Sequence, residues 1–319
     1  MTAAGTGVAP LPAFVHETLP YRGDDEFLTG VLGFVREGLA RDEAVLLVEP
    51  TRRLAQLRAA LAEDAGRVEF LDMTDVGANP GRIVAAWAAA LDRAARTGRT
   101  LRGVGEPAHP DRSAAELVEC ELHEHLLNAA FGAGGGPAWR LLCPYDVQGL
   151  PPAVSARALV THPYRTGPDG PLPSPDHAPR TPAELLGGAL PPPASEGVLR
   201  GEFGSGDVPA VRRTVASYAR TCGLTDEQVA ALELSASELA TNSIRHGAGR
   251  GTLAMWTEPG AAVVEFSDAG RLTDPLVGRR PPPTRQVGGR GVYLVHQLCD
   301  LVQVRSTPRG TTVRVTTWR

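Results

Sequence analysis

Short apolar runs alternate with amphipathic segments of helical length along the first half of the chain. The helical spacing of apolar residues predicts helices over residues 24–40, 51–64, 80–96 and 113–131. The intervening apolar runs are typical of buried strands, and they lie at residues 13–16, 45–48, 68–71, 101–105 and 139–144. A regular alternation of strands and helices predicts a doubly wound, mainly parallel α/β sheet.

Polar residues follow several of these strands. The strand ends read Val48–Pro50, Asp72-Met73, Gly105–Pro107 and Cys143–Asp146. In open α/β sheets, ligands bind at the carboxyl ends of the strands. A ligand pocket at this edge and plain turn residues are both open interpretations.

A proline-rich stretch separates the two halves. Residues 166–194 hold nine prolines, and proline fixes φ and removes a backbone donor. We expect a semi-rigid, extended linker that joins no sheet, with one short helical turn near Ala183–Leu186. The predicted organisation is a disordered N-terminus (1–12), a first domain (13–165), a linker (166–197) and a second domain (198–319).

Charge also changes along the chain. Residues 1–165 carry 16 Arg and 21 acidic residues, net −5, whereas residues 198–319 carry 15 Arg and 11 acidic residues, net +4. The whole chain has a net charge of −4, which argues against binding nucleic acid through bulk electrostatics. All 32 basic residues are Arg, so chemistry that needs a lysine in a phosphate-binding loop or a Schiff base is excluded.

The remaining composition favours a cytoplasmic protein. No apolar stretch reaches about 18 residues, so no membrane span is expected. The four cysteines form no C-x-x-C pair, which makes a disulfide framework or zinc site unexpected. His123 and His125 are two residues apart on a predicted helix and point about 200° apart, so we do not expect them to chelate one ion.

Four segments of the first half carry a family resemblance. They are His16, the strand end Leu46–Pro50, the segment Leu141–Asp146, and the trailing Thr161–Pro163. On these segments, residues 13–165 resemble the MEDS sensory domain of methanogen and methylotroph regulators. The resemblance implies a sensory role toward an unidentified small-molecule signal.

The second half carries its chemistry on a helix predicted from about Asp226 to His246. A capping pattern at Thr225–Gln228 opens this helix, after a first amphipathic helix at 208–222. Glu238, Asn242 and His246 are spaced i, i+4 and i+8, so they lie in one row along a single face. By itself the row also fits a solvated polar face.

Three further elements favour a nucleotide site. A strand at 262–267 ends in Asp268-Ala269-Gly270, a Gly-rich stretch at 288–291 opens a helix, and Gly310–Thr312 precedes the last strand. A carboxylate at a strand end can accept hydrogen bonds from the adenine amino group. Glycines and a helix N-terminus suit phosphates, and an Asn oxygen suits Mg²⁺.

On these motifs, residues 200–319 resemble a GHKL-type (Bergerat) ATP-binding domain with an α/β-sandwich fold, and more narrowly the anti-sigma-factor serine kinases. The resemblance implies that Glu238 is the general base and that Asn242 binds Mg²⁺. It also implies an ATP lid at residues 271–287. The implied ATP-binding residues are Asn242, His246, Asp268, Gly270, Gly289, Arg290, Gly291, Thr311 and Thr312.

Three functions stay open from the sequence. The first is a serine/threonine protein kinase whose partner is a sigma factor or a STAS-type anti-sigma antagonist. The second is a non-catalytic, ATP-dependent binding module for such a partner. The third is a histidine-kinase-like sensor, which would need a helical hairpin with an acceptor histidine before the ATP domain. A homodimer also stays open, and no direct nucleic-acid partner is expected.

Overall fold

A computed structural model describes residues 11–134, 136–193, 197–282 and 289–319. The predicted disordered N-terminus lies mostly outside these residues. The chain divides into two compact units. The first unit is Met1–Leu71, Ala90–Pro110 and Leu127–His177, and the second is Asp72–Ala89, Asp111–Leu126 and Ala178–Arg319. Two segments that precede residue 165 therefore belong to the unit that contains the C-terminal region. The domain boundaries at 165 and 198 stay a prediction.

The first unit is a parallel sheet with helices, as predicted. Its elements, three of which have residues in both units, are β1 (Phe14–Tyr21), α1 (Gly23–Ala40), β2 (Ala44–Glu49), α2 (Thr51–Leu61), a 3-10 turn (Ala62–Arg67), β3 (Val68–Asp72), α4 (Ile83–Arg96), β4 (Leu101–Gly105), α5 (Ala114–Phe131), β5 (Trp139–Asp146), α6 (Pro152–Thr161), β6 (Tyr164–Gly167) and β7 (Gly170–Pro173). The helix α3 (Met73–Val76) and a 3-10 turn (Pro80–Arg82) lie between β3 and α4.

The strand order is β3-β2-β4-β5-β1-β6-β7. Strands β2 and β4, β4 and β5, β5 and β1, and β1 and β6 pair in parallel. Strands β2 and β4 are almost wholly buried, and for β2 this burial explains the continuous apolar run Val45–Val48. The prediction of a mainly parallel α/β sheet is confirmed.

The proline-rich segment departs from the prediction. Strands β6 and β7 pair antiparallel across a tight turn, so the first part of the expected linker joins the sheet. Pro171 and Pro173 lie on β7, the last strand in the order, where a residue without an N–H costs least. The expectation that this segment joins no sheet is therefore wrong. The predicted helical turn is present as α7 (Pro182–Leu186), which a capping box of Thr181 and Glu184 opens.

The second unit contains an antiparallel sheet covered by helices. Besides α7, its C-terminal elements are β8 (Leu199–Gly204), α8 (Val208–Thr221), α9 (Asp226–His246), β9 (Arg250–Glu258), β10 (Ala261–Asp268), α10 (Gly291–Leu298), β11 (Leu301–Thr307) and β12 (Gly310–Trp318). The strand order is β11-β12-β10-β9-β8, and the neighbouring strands pair antiparallel.

One sheet face and the helices α8, α9 and α10 form the core of the second unit. Val264 and Phe266 of β10, together with Val313 and Val315 of β12, pack against apolar side chains such as Leu239 of α9. Because side chains alternate along a strand, the intervening residues of β10 and β12 face the other way. This alternation determines which of the residues predicted to bind ATP share a sheet face. Within the described residues, no helix has the length and apolar character that crossing a membrane requires.

Candidate functional site

The helix α9 positions the predicted polar row. The side chain of Thr225 accepts a hydrogen bond from the backbone N–H of Gln228, and the Gln228 side chain bonds back to Thr225, which fixes the start of the helix. The row then follows from 3.6 residues per turn. Val229, Leu232, Leu239 and Ala240 bury the other side of α9 in the core. Core packing of that side therefore holds the polar row in place.

A cavity of about 390 Å³ lies beside α9 and the ends of β10 and β12. Among the described residues, its wall includes most of the predicted ATP-binding residues. They are Asn242, His246, Asp268, Gly270, Gly289, Gly291 and Thr311. The cavity wall also holds apolar side chains, namely Leu239, Phe266, Leu272, Val277, Val292 and Val313. Four separate stretches of sequence thus meet at one concave surface.

The carboxylate of Asp268 is fixed through both of its oxygens. The Ser243 hydroxyl donates a hydrogen bond of 2.7 Å to Oδ2, and the backbone N–H of Gly270 donates one of 2.8 Å to Oδ1. Asp268 ends β10, and its neighbour in the sheet is Thr311 of β12. A carboxylate held in this way presents its remaining acceptor capacity in one direction.

A hydrogen-bonded chain supports the turn after Asp268. The Thr311 hydroxyl donates a hydrogen bond of 2.9 Å to the carbonyl oxygen of Gly270 and lies 3.0 Å from the Ser306 hydroxyl. Ser306 in turn accepts from the backbone N–H of Leu272 at 2.9 Å. An added Cβ at Gly270 would lie 2.5 Å from the carbonyl oxygen of His246, so only glycine fits there.

The side chains of Glu238 and Asn242, both on α9, lie next to Gly291, the first residue of α10. An added Cβ at Gly291 would lie 2.6 Å from Oε2 of Glu238 and 3.3 Å from Nδ2 of Asn242. The missing side chain at Gly291 therefore leaves room for both polar groups next to the helix N-terminus. Glu238 itself is not among the described residues of the cavity wall, whereas Asn242 is.

His246, Arg290 and Thr312 have separate positions relative to the cavity. His246 lines the cavity at the exposed C-terminal end of α9. Arg290 is the N-cap residue of α10, next to the glycines that line the cavity. The Thr312 side chain lies on the opposite sheet face from Thr311, and its hydroxyl lies 3.0 Å from that of Ser267. An ATP contact by the Thr312 side chain is therefore not supported.

Several residues of the cavity wall were not among those predicted from the sequence. Ser243 is adjacent to Asn242 but gave no signal of its own, because its partner Asp268 is 25 residues away. Arg245 and Arg271 also line the cavity and supply positive charge. Of the predicted lid at 271–287, residues 283–287 lie outside the described residues. The described part includes Leu272 and Val277 of the cavity wall.

Buried charges join the described part of the predicted lid segment to other elements of the second unit. Arg279 and Arg305 both donate to the carboxylate of Glu119 on α5, and the Arg279 Nη2–Glu119 Oε2 distance is 3.3 Å. Burial lowers the pKa of Arg279. Leu122 and Leu126 of α5 pack with Leu185, and Leu276 of the predicted lid segment packs against them.

Two buried carboxyl groups lie at the strand ends of the first unit where the sequence allowed a pocket. Glu49 ends β2 and Glu106 follows β4, and both are almost fully buried. The Tyr21 hydroxyl donates a hydrogen bond of 2.6 Å to Oε1 of Glu106. Burial raises the pKa of Glu106 to about 7. Burial, with the neighbouring Glu106, raises the pKa of Glu49 well above its ordinary value. A ligand pocket at this edge stays a prediction.

Comparison with known proteins follows the two halves of the sequence. Residues 15–163 match the family described as the MEthanogen/methylotroph, DcmR Sensory (MEDS) domain. Residues 205–317 match the histidine kinase-like ATPase domain. No curated protein matches the sequence.

One solved structure in the comparison is that of the RsbU and RsbW domains of Rv1364c from Mycobacterium tuberculosis. It is 16% identical, with a TM-score of 0.30 over 39% of this chain and 33% of that chain. This chain therefore spans about a third of the length of that structure. The chain therefore carries, one after the other, a segment that matches the MEDS sensory domain and a segment that matches the histidine kinase-like ATPase domain.

Proposed function

We propose that the chain is a signal-responsive regulator whose ATPase domain binds Mg²⁺-ATP and phosphorylates a serine or threonine of a partner protein. The observation that carries this proposal is the convergence of Asn242, Asp268 and the glycines at 289 and 291 on one cavity. The partner class that fits best is a sigma factor or a STAS-type anti-sigma antagonist, in line with the sequence resemblance.

The cavity has the features that an adenine nucleotide requires. Its volume of about 390 Å³ is within the range of small-molecule sites. Apolar side chains such as Leu239 and Phe266 suit the faces of the adenine ring, and Asp268 suits its amino group. Gly289, Gly291 and the N-terminus of α10 offer backbone N–H groups to phosphates.

Asn242 is the residue that would hold Mg²⁺. Its side-chain oxygen is a hard ligand, and such sites are normally completed by phosphate oxygens and waters. When bound, Mg²⁺ supplies charge neutralisation at the phosphates. Arg245 and Arg271 on the cavity wall add positive charge of their own.

Glu238 is the proposed general base. Its carboxylate would take the proton of a partner hydroxyl as that oxygen bonds to the γ-phosphorus and the bond to ADP breaks. A positioned base contributes about 10²–10⁴-fold. The position of Glu238 beside Gly291, one helical turn from Asn242, supports this role.

One observation favours the second candidate, a non-catalytic binding module. Glu238 packs against Gly291 and is not among the described residues of the cavity wall. In that case ATP would order the lid and create a binding surface, with no transfer of phosphate.

A histidine-kinase-like sensor has no observation in its favour. It needs a helical hairpin with an acceptor histidine before the ATPase domain. The described residues between Ser174 and Asp207, which precede α8, hold only the short helix α7 and the strand β8.

The proposal includes regulation by the sensory domain. Helix α5 supports this, because Asn128 near its end bonds to His16 of β1 and Glu119 near its start bonds to Arg279 of the lid. Regulation requires that a signal bind two states with different affinity.

The test uses the full chain, radiolabelled ATP and purified candidate partners. We expect labelled phosphate on the partner with the natural chain. Glu238→Gln should abolish transfer but keep ATP binding, whereas Asn242→Ala should weaken both. ATP-dependent capture of the partner without any transfer would favour the binding module. An absence of both transfer and ATP binding would refute the proposal.

A further inference from the structure

Three buried side chains with metal-binding atoms converge in the first unit. They are His16 of β1, Cys143 of β5 and His162 directly after α6. Their ligand atoms lie within 4.8 Å of one another, and none of the three residues is more than 1% exposed. The sequence separations are 127 and 19 residues, so only the fold brings these atoms together.

The sheet explains the meeting of His16 and Cys143. Strands β1 and β5 are parallel neighbours, and Cys143 is opposite Thr18. His16 is two residues before Thr18, so both side chains point to the same sheet face. The Nε2 of His16 lies 3.4 Å from the Sγ of Cys143, and the rings of His16 and His162 have centroids 4.1 Å apart.

Hydrogen bonds fix which nitrogen of His16 faces the cluster. Asn128 donates through Nδ2 to the carbonyl oxygen of Thr161 at 2.7 Å, so its Oδ1 faces His16. That oxygen lies 3.0 Å from Nδ1 of His16 and can only accept. The proton of His16 is therefore on Nδ1, and Nε2 presents its lone pair toward Cys143.

His162 is held in the same way. Its Nδ1 lies 2.7 Å from the carbonyl oxygen of Ala158, which can only accept, so the proton is again on Nδ1. The Nε2 of His162 thus carries the lone pair. Histidines that bind metals typically donate their other ring N–H to a carbonyl or amide oxygen, which orients the ring.

We propose that His16, Cys143 and His162 bind a transition-metal ion of the Zn²⁺ class. Thiolate and imidazole donors select borderline and soft metals over Mg²⁺ or Ca²⁺. For Zn–N near 2.0 Å and Zn–S near 2.3 Å, tetrahedral ligand atoms are about 3.5 Å apart. The Nε2–Sγ distance of 3.4 Å matches that spacing. Binding would release the thiol proton of Cys143 to solvent.

The site gives the sensory domain a chemistry that its sequence did not reveal. The spacing of its cysteines predicted no zinc site, because the ligands come from three distant segments. All three segments belong to the stretches on which the family resemblance rests. Asn128, which orients His16, lies on α5, the same helix that carries Glu119.

The experiment measures metal binding by the full chain after removal of metal with a chelator. We expect one Zn²⁺ per chain, and with Co²⁺ a thiolate-to-metal absorption band. Cys143→Ser should abolish that band, and His16→Gln should weaken Zn²⁺ binding at least tenfold. Asn128→Ala should weaken it by about 10- to 100-fold, as for other residues that orient a ligand. Cys222→Ser, which changes a buried cysteine of the second unit, is the matched control and should bind normally.

Circular dichroism of each variant checks folding. If Cys143→Ser does not fold, the proposal is tested by the cobalt absorption band of the natural chain and by the Zn²⁺ affinity of Asn128→Ala. Failure of the metal-stripped natural chain to bind either ion, or equal binding by the natural chain and Cys143→Ser, would overturn the proposal.

Discussion

Ser243 donates a hydrogen bond of 2.7 Å to Oδ2 of Asp268 and so ties the last turn of α9 to the end of β10. The two residues are 25 positions apart, and both line the same cavity. This bond holds the carboxylate in one orientation before any ligand arrives. Recognition of an adenine base by Asp268 would therefore cost little reorganisation.

The first prediction concerns that carboxylate. Asp268→Asn should weaken ATP binding by about 10- to 100-fold, because a charge-assisted hydrogen bond contributes about 1.5–3 kcal/mol. Ser243→Ala should weaken it less, since the carboxylate remains but is less well oriented. Calorimetry with the full chain measures both. GTP, which lacks the adenine amino group, serves as the reference ligand, and an equal loss for both nucleotides would contradict the assigned contact.

The second prediction concerns the space at Gly291, and it assumes the kinase activity proposed above. In Gly291→Ala the new Cβ would lie 2.6 Å from the Glu238 carboxylate, which is the flexible end of its side chain. The carboxylate should move, so phosphotransfer should fall by about 10²-fold, as for other misplacements near 1 Å. The urea midpoint should change little. Gly201→Ala on β8 has open space around the new Cβ and is the control. An unchanged transfer rate in Gly291→Ala would show that the position of Glu238 does not matter.

The third prediction concerns the buried charges around Glu119. Glu119→Ala leaves Arg279 and Arg305 buried without their shared carboxylate and should destabilise the chain by about 3–5 kcal/mol. Glu121→Ala on the same helix breaks a partly exposed pair with Arg180 and should cost less than about 1 kcal/mol. Urea unfolding compares the two variants. Similar losses would show that the Glu119 cluster contributes no more than a surface pair.

The fourth prediction concerns pH. Burial raises the pKa of Glu106 to about 7 from an ordinary value of 4.5, and the pKa of Glu49 also rises. The folded chain therefore holds protons that the unfolded chain has released. The free energy of unfolding should fall as pH rises from about 4.5 through about 7, and this contribution should then level off.

Glu106→Gln removes part of that titration and should flatten the fall in stability, while its amide oxygen still accepts from Tyr21. Burial also raises the pKa of Glu17, so the difference between variant and natural chain is the relevant quantity. Asp25→Asn, at an exposed position, is the control. Urea unfolding at several pH values supplies the data, and parallel curves for Glu106→Gln and the natural chain would contradict the prediction.

Features whose interacting residues are close along the chain could be predicted from the sequence. The capping box of Thr225 and Gln228 and the row Glu238, Asn242 and His246 depend only on helix geometry, and the structure has both. The parallel sheet followed from apolar runs alternating with helical periodicity. The two family matches agree with the resemblance that these motifs carried.

Contacts between distant segments were not visible in the sequence. Ser243 looked like an ordinary helix residue, and Glu119 meets Arg279 across 160 positions. His16 and Cys143 approach only because β1 and β5 are neighbours in the sheet. The β6–β7 hairpin was missed because prolines usually exclude pairing, whereas an edge strand tolerates them.

The most direct test of the account is calorimetric titration of the full chain with ATP in the presence of Mg²⁺, alongside Asp268→Asn. We expect one binding site per chain, with affinity lowered at least tenfold in the variant. The proposed ATP site would be contradicted if the folded natural chain gave no heat of binding and equilibrium dialysis with labelled ATP also showed no binding. Identical ATP affinity in the natural chain and Asp268→Asn would contradict it as well.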